Sequence, residues 1–255
     1  MKKLENKVAI VTGAGAGMGK AIVMLFAQQG AKVVAGDINP SRLDELAKEV
    51  KSAGGEINTV VANMSIEADI DNLINTAVST YGTLDILVNN AGIMDHFQPV
   101  GEVENSMLEK VMKVNFEGPF KAMRSAVKIF LEKGKGNIIN VCSIGGLKGG
   151  AAGAVYTSSK HALVGLTKST GYLYSKSGIR CNGIAPGAVN TSISETIDMT
   201  KITPLVNDRI MTGLALNPRA GEASEIAQAA LFLASDDSSF VNAEILTVDG
   251  GWSAY

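Results

Sequence analysis

The chain has 255 residues, 46% of them hydrophobic and 19% charged, with a formal net charge of −2. That length can bury a substantial core in one large α/β domain or two small ones. The near-balance of charge gives no basis for a nucleic-acid or anionic-membrane partner, and no apolar run reaches the roughly 18 residues of a transmembrane helix.

The opening stretch, MKKLENKVAIVTG, makes a poor signal peptide, because Glu5, Asn6 and Lys7 crowd it and glycines follow at once. A cytoplasmic protein is therefore expected. Short apolar runs then alternate with longer helical patterns. Strands are expected at residues 8–11, 32–36, 57–61, 86–88, 137–141, 180–184 and 245–248, with helices at 18–29, 41–52, 67–81, 105–132, 155–177 and 223–234. Strands rich in Val and Ile that alternate with helices imply right-handed βαβ units. The expected fold is α/β: a doubly wound, mostly parallel seven-stranded sheet with helices on both faces. Nothing reads as a linker, so residues 1–255 are expected to form one domain. The long irregular stretch 188–216 follows a strand and is a candidate substrate lid.

Two cysteines, Cys142 and Cys181, cannot make a disulfide framework. Each falls at or in a strand-like run, where a free thiol behaves as a small hydrophobe. On parallel neighbouring strands they would lie at opposite ends of the sheet.

Thr12-Gly13-Ala14-Gly15-Ala16-Gly17-Met18-Gly19 follows the first strand and opens the first helix. Glycines there allow a tight turn and close approach of backbone to a pyrophosphate, which the helix N-terminus attracts. The strict G-x-G-x-x-G spacing is absent, and no Gly-Lys-Ser/Thr suggests a P-loop. Asp37, at the end of the second strand, stands where an acid accepts hydrogen bonds from an adenosine ribose. Loop, helix and acid together point to nucleotide binding.

Tyr156 and Lys160 lie four apart on an expected helix, hence on one face about a turn apart. A tyrosine with a reference pKa near 10 is a poor base at neutral pH, and a nearby ammonium would favour its phenolate. Tyr172 and Lys176 repeat the spacing, and Ser143 and Ser159 each precede their tyrosine by the same thirteen residues. Ser143 ends an expected strand, where open α/β sheets place ligands, whereas Ser159 lies inside the helix. Tyr156 and Lys160 are thus the preferred pair.

On these residues the chain resembles the short-chain dehydrogenase/reductase family along almost its whole length. Thr12-Gly13-x-x-x-Gly17-x-Gly19 is similar to the family's dinucleotide loop and Asn89-Asn90-Ala91-Gly92 to its second signature. Asn115, Ser143, Tyr156 and Lys160 match its catalytic tetrad. Asn182-x-x-x-Pro186-Gly187, with Val189 and Thr191, matches its nicotinamide-side loop, and Val248-Asp249-Gly250-Gly251 its last strand. The resemblance implies a Rossmann fold. It also implies an oxidoreductase that moves a hydride between NAD(H) and a secondary alcohol or ketone. Tyr156 would be the general acid/base, Lys160 would lower its pKa and hold the nicotinamide ribose, Ser143 would bond the substrate oxygen, and Asn115 would anchor a water relay. Cofactor contacts would come from Gly13, Gly17, Met18, Gly19, Asp37, Ile38, Asn63, Met64, Asn90, Ala91, Gly92, Tyr156, Lys160, Pro186, Gly187, Val189 and Thr191. The chain departs from the family pattern at Cys142 and Cys181, which should matter little, and at Asn63, where an aspartate usually meets the adenine amino group. The amide oxygen of Asn63 is expected to accept that bond without charge.

Asp37 would repel the 2′-phosphate of NADP, so NAD is the expected cofactor and NADP the less favoured one. The partner would be a small alcohol or carbonyl compound, with no nucleic acid, no membrane and no metal. The lid residues Ile193, Met199, Ile202, Leu205, Ile210 and Met211 suggest an apolar pocket, against a competing polyol pocket built on His96, Gln98, Ser192, Ser194 and Thr196. His96 otherwise reads as a solvated loop histidine, and His161 is expected to face another element. Two other functions compete: an NADP-dependent 3-oxoacyl reductase, and a catalytically silent nucleotide-binding regulator. The family resemblance implies a homo-oligomer, expected as a tetramer.

Overall fold

In the computed structural model, residues 2–191, 193 and 197–254 are described. The strands are β1 (Val8–Thr12), β2 (Lys32–Asp37), β3 (Glu56–Val61), β4 (Ile86–Asn89), β5 (Gly136–Val141), β6 (Ile179–Pro186) and β7 (Ile245–Val248). They form one seven-stranded sheet in the order β3-β2-β1-β4-β5-β6-β7, and every pairing is parallel. The direction of winding reverses between β1 and β4. All residues of β1, β4 and β5 are buried, as expected of strands covered on both faces.

Helices α1 (Gly17–Gln28), α2 (Pro40–Ser52) and α9 (Ala223–Ala234) cover one face. Their core includes Phe26, Ile22, Leu46 and Leu233 against Val11, Val33 and Ile139. On the other face lie α3 (Glu67–Tyr81), α4 (Asn105–Met112), α5 (Gly118–Lys133) and α6 (Ala154–Leu173). There Leu73, Met123 and Phe130 pack on Val8, Ile10 and Ile138. Cys142 and Cys181 are free and buried; Cys181 pairs with Ile138 in the sheet, four residues before Cys142. Among the described residues, no helix is long and apolar enough to cross a membrane.

The structure corrects three expectations of continuity. The helix expected at 105–132 is broken by a π turn at Lys113–Glu117. Pro119 explains the break: it has no N–H for the carbonyl of Asn115, and its ring crowds that carbonyl. The helix expected at 155–177 ends at Leu173 and passes through a 3₁₀ turn at Ser175–Ser177 to Gly178, whose φ of 73° is left-handed. Within 188–216 the chain is not wholly irregular: α7 (Pro204–Val206), a π turn (Asn207–Met211) and α8 (Thr212–Leu214) form a short run of helix.

The close seating of α5 on β5 needs a glycine at the strand start. A Cβ on Gly136 would lie 2.1 Å from Phe130 Cγ, and Phe130 is fully buried. Gly136→Ala should therefore destabilise the fold by about 1–3 kcal/mol through overpacking, lowering the thermal midpoint by several degrees in a melting experiment.

Candidate active site

Because β1 and β4 are neighbours whose following helices leave on opposite faces, a crevice opens at their carboxyl ends. Thr12 ties its two sides together. Its hydroxyl accepts from the N–H groups of Asn90 (3.0 Å) and Ala91 (3.1 Å), while Asn90 Nδ2 donates to the carbonyls of Thr12 (2.9 Å) and Gly13 (3.1 Å). Two glycines are required by this approach. A Cβ on Gly13 (φ 64°) would stand 2.8 Å from Ala91 Cα, and one on Gly19 would stand 2.0 Å from the Gly13 carbonyl oxygen. Ala16, the N-cap of α1, offers no side-chain oxygen to the first-turn N–H groups, which leaves them for an anion.

The crevice holds a cavity of about 690 Å³. Of the expected cofactor contacts, Gly13, Gly17, Met18, Asp37, Ile38, Asn63, Met64, Asn90, Ala91, Gly92 and Thr191 line it. Gly19 does not; it packs behind the loop. A second cavity of about 240 Å³ adjoins the first, sharing Met18, Thr191 and Ile193, and is lined by Ser143, Tyr156, Pro186, Gly187 and Val189. A dinucleotide fits this arrangement. The glycine loop leaves the room, and Asn90 Oδ1 is buried on the cleft wall with no partner in the protein. Asp37 is held by the N–H groups of Gly15 (2.8 Å) and Asn39 (2.9 Å). Asn63 corrects its expected role. Its Oδ1 accepts from both the N–H (3.0 Å) and the hydroxyl (2.8 Å) of Ser65, so both lone pairs are used within its own loop. Ser106, Lys110 and Lys113 also line the cleft. They lie on no motif, and only the packing of α4 and the π turn after it beside the strand ends brings them there.

Tyr156 and Lys160 sit in the first turns of α6, both buried. Lys160 Nζ donates to the Val141 carbonyl at 2.9 Å and lies 5.7 Å from the centre of the Tyr156 ring. Asn115 occupies the π turn with no exposed surface. Its amide bonds both the N–H and the carbonyl of Ile93 at 2.9 Å and donates to Ser159 Oγ at 3.2 Å. A Cβ on Gly92 would be 3.4 Å from Asn115 Oδ1 and 3.5 Å from Lys160 Nζ, which shows how closely these groups converge. Burial pushes the Tyr156 phenol up to about 12, against a hydrogen bond with Ser143 that pulls it down. Burial also brings the Lys160 ammonium down to about 8. Loss of water is the largest cause of the rise in the Tyr156 phenol, and the neighbouring Asp95 carboxylate adds to it.

The second pair separates as expected. Tyr172 is 77% exposed, and Lys176 lies beyond the helix end. Ser159 is no idle repeat, since it receives the Asn115 amide and donates to the Tyr156 carbonyl at 2.7 Å. His161 corrects its reading: it is exposed and bonds its own helix at Thr157. His96 is not simply solvated, for its Nδ1 accepts from the Asp198 N–H at 2.9 Å. Ile193, Ile202, Ile210 and Met211 pack with Met94, Phe97, Ala152 and Tyr156, whereas Leu205 is 57% exposed and takes no part. Ser192, Ser194 and Thr196, with the side chain of Met199, lie outside the described residues.

Replacing Asn115 tests the hub. Asn115→Leu would orphan the N–H and carbonyl of Ile93, so stability should fall by roughly 2–4 kcal/mol, measured by chemical unfolding.

A family described as enoyl-(acyl carrier protein) reductase matches residues 13–253. A 3β-hydroxysteroid dehydrogenase 2 of Eggerthella lenta is 42% identical over 99% of this chain and 96% of its own length. The crystal structure of levodione reductase aligns with a TM-score of 0.90 at 34% identity, covering 99% of this chain and 100% of that one. A chain assigned as an NAD(P)-dependent gluconate 5-dehydrogenase from Beutenbergia cavernae, with NADP bound at low occupancy, has a TM-score of 0.87 at 33% identity, over 99% of both chains. Likeness of this extent, over one continuous fold and one set of loops, places the chain in the short-chain dehydrogenase/reductase family of oxidoreductases.

Proposed function

We propose that the chain is an NAD-dependent dehydrogenase/reductase that interconverts a neutral, largely apolar secondary alcohol and its ketone. The observation that carries this reading is the placement of a buried phenol, Tyr156, in the smaller cavity, with Ser143 bonded to it and Lys160 beneath its ring. The larger cavity would take the dinucleotide along the glycine loop, with Asp37 at the adenosine ribose and residues 186–191 beside the nicotinamide. When bound, the nicotinamide ring would supply the hydride chemistry.

In the reducing direction the Tyr156 hydroxyl gives its proton to the carbonyl oxygen, while the Ser143 hydroxyl donates a hydrogen bond to that oxygen. Lys160 Nζ, anchored on the Val141 carbonyl, stands where its charge steadies the phenolate left behind. Burial brings its ammonium down to about 8, so Lys160 gives up a proton more readily than it would in water. Asn115 would hold a relay water behind it.

Carbon dominates the wall of the smaller cavity: Met94, Phe97, Ala152, Ile197, Leu214 and Trp252 face it, with hydroxyls from Ser143, Tyr156 and Thr191. That composition supports an apolar substrate over a polyol or an anion, and each buried CH₂ would add up to about 0.8 kcal/mol. Residues 188–216 would act as the lid of a single domain. Exposed apolar side chains on α4, α5 and α6, among them Leu108, Phe120, Leu131 and Leu173, support a homo-oligomer, and a cytoplasmic tetramer is the form proposed for it. A second cofactor reading has one observation in its favour, since Arg42 lines the cleft beside Asp37. The Asp37 carboxylate nonetheless opposes a 2′-phosphate by roughly 4 kcal/mol at 4 Å before screening.

Purified protein assayed with NAD and NADP against cyclohexanol, a 3β-hydroxysteroid, a 3-hydroxyacyl thioester and sorbitol tests this reading. NAD should exceed NADP in kcat/KM by at least about tenfold, with the ring alcohols ahead of the polyol and the thioester. Equal use of both cofactors would overturn the NAD assignment, and preference for sorbitol the apolar pocket. Tyr156→Phe should abolish turnover while NADH still binds, and Tyr172→Phe should be neutral; equal losses in both would displace Tyr156 from its role.

A further inference from the structure

The first turn of α6, which carries Tyr156, receives no cap from its own N-cap residue, Gly153. Its donors are met instead by one loop after β4. The Gln98 carbonyl accepts from Ala154 N at 2.9 Å. The Asp95 carboxylate accepts from Tyr156 N at 2.8 Å and from the backbone of Val155. Its other oxygen accepts from Phe97 N at 3.1 Å, within a turn where His96 and Phe97 both hold left-handed φ values of 58° and 60°. Asp95 has no exposed surface, and the helix start is shaped around it: a Cβ on Gly153 would lie 2.4 Å from Asp95 Oδ1. Burying a carboxylate this completely is unfavourable, so the oriented N–H groups and the positive end of α6 must hold it.

We propose that Asp95 is a positioning residue for the reaction: from the loop after β4, its buried carboxylate caps the helix that carries Tyr156 and fixes the phenol against Ser143. The same carboxylate holds the turn that puts Phe97 in the substrate cavity and His96 against Asp198 of the lid. This rests on the reading of Tyr156 as the proton donor, which the Tyr156→Phe assay checks separately. Asp95 also acts through its charge. The groups around Tyr156 are Asp95 and His96 on the β4 loop, Cys142 after β5, Lys160 on α6, and Asp198 across from His96. Asp95 opposes a phenolate and Lys160 favours one. Alcohol oxidation needs Tyr156 ionised to take the substrate proton. Removing the carboxylate charge therefore moves the acid limb of kcat to lower pH.

The test uses the full chain with NAD and cyclohexanol, with NADH binding and thermal unfolding as separate readouts. Asp95→Ala should lower kcat on the order of 100-fold, with the NADH dissociation constant changed by less than about threefold. Gly153→Ser in the Asp95→Ala background supplies a local cap where the carboxylate stood, since Gly153 already has φ −70° and ψ 172°, suited to an N-cap serine. That double variant should recover at least about tenfold of the lost kcat. Asp95→Asn keeps the shape, loses the charge, and should displace the acid limb downward by about one pH unit; it carries the test if Asp95→Ala fails to fold. Three results would overturn the proposal: Asp95→Ala retaining kcat within about threefold, the double variant regaining its unfolding temperature without regaining kcat, or an acid limb unmoved in Asp95→Asn.

Discussion

The pairing of β1 with β4 is the constraint on which the reactive end of the molecule depends. It brings two loops that are 78 residues apart in the chain within hydrogen-bond reach, as in the contact of Asn90 N with Thr12 Oγ1. Parallel strands cannot be joined by a tight hairpin, so each must be followed by a helix that leaves over one face. Where consecutive helices leave over opposite faces, no backbone fills the gap. The cavity is therefore a consequence of strand order before any side chain is chosen. Thr12, Gly13 and Asn90 make the gap narrow and stiff, and the N-terminus of α1, with no side-chain cap from Ala16, turns the positive end of the helix toward it.

Burial then sets the chemistry. Tyr156 and Lys160 are both removed from water, and removal of water favours the neutral form of each: the phenol rises to about 12 and the ammonium falls to about 8. The two shifts run in opposite directions, so the protein by itself keeps the proton on the phenol and disfavours the phenolate–ammonium pair. A cation placed above them by a bound oxidised cofactor would tip the balance toward the phenolate. Asn115 and Ser159, which touch neither cavity, stabilise the ground beneath the pair by satisfying the backbone of Ile93 and Tyr156.

Much of this was legible in the chain. Apolar runs placed all seven strands to within a few residues, because parallel strands covered on both faces read as continuous Val/Ile segments. Gly13 and Gly19 were legible because close approach of backbone demands that residue type. Three features were hidden for physical reasons. The π turn was obscured by an apolar pattern that runs through it, although Pro119 was the available sign. Asn63 turned its oxygen inward because Ser65, two residues on, offers two donors. Asp95 gave no signal at all, since a carboxylate that caps a helix 58 residues away, at Gly153, has no local pattern to announce it.

The most direct measurement of the central claim is energy transfer from Trp252, the single tryptophan of the chain, to NADH. Trp252 lines the smaller cavity and donates its indole N–H to the Gly213 carbonyl at 2.9 Å, so it is fixed beside the expected nicotinamide position. Saturable quenching of its emission, with nicotinamide emission appearing in step and both lost in Gly13→Val, is the result expected of a dinucleotide lying along the glycine loop into that cavity. Trp252 emission unchanged by NADH, or quenching that survives Gly13→Val, would contradict it.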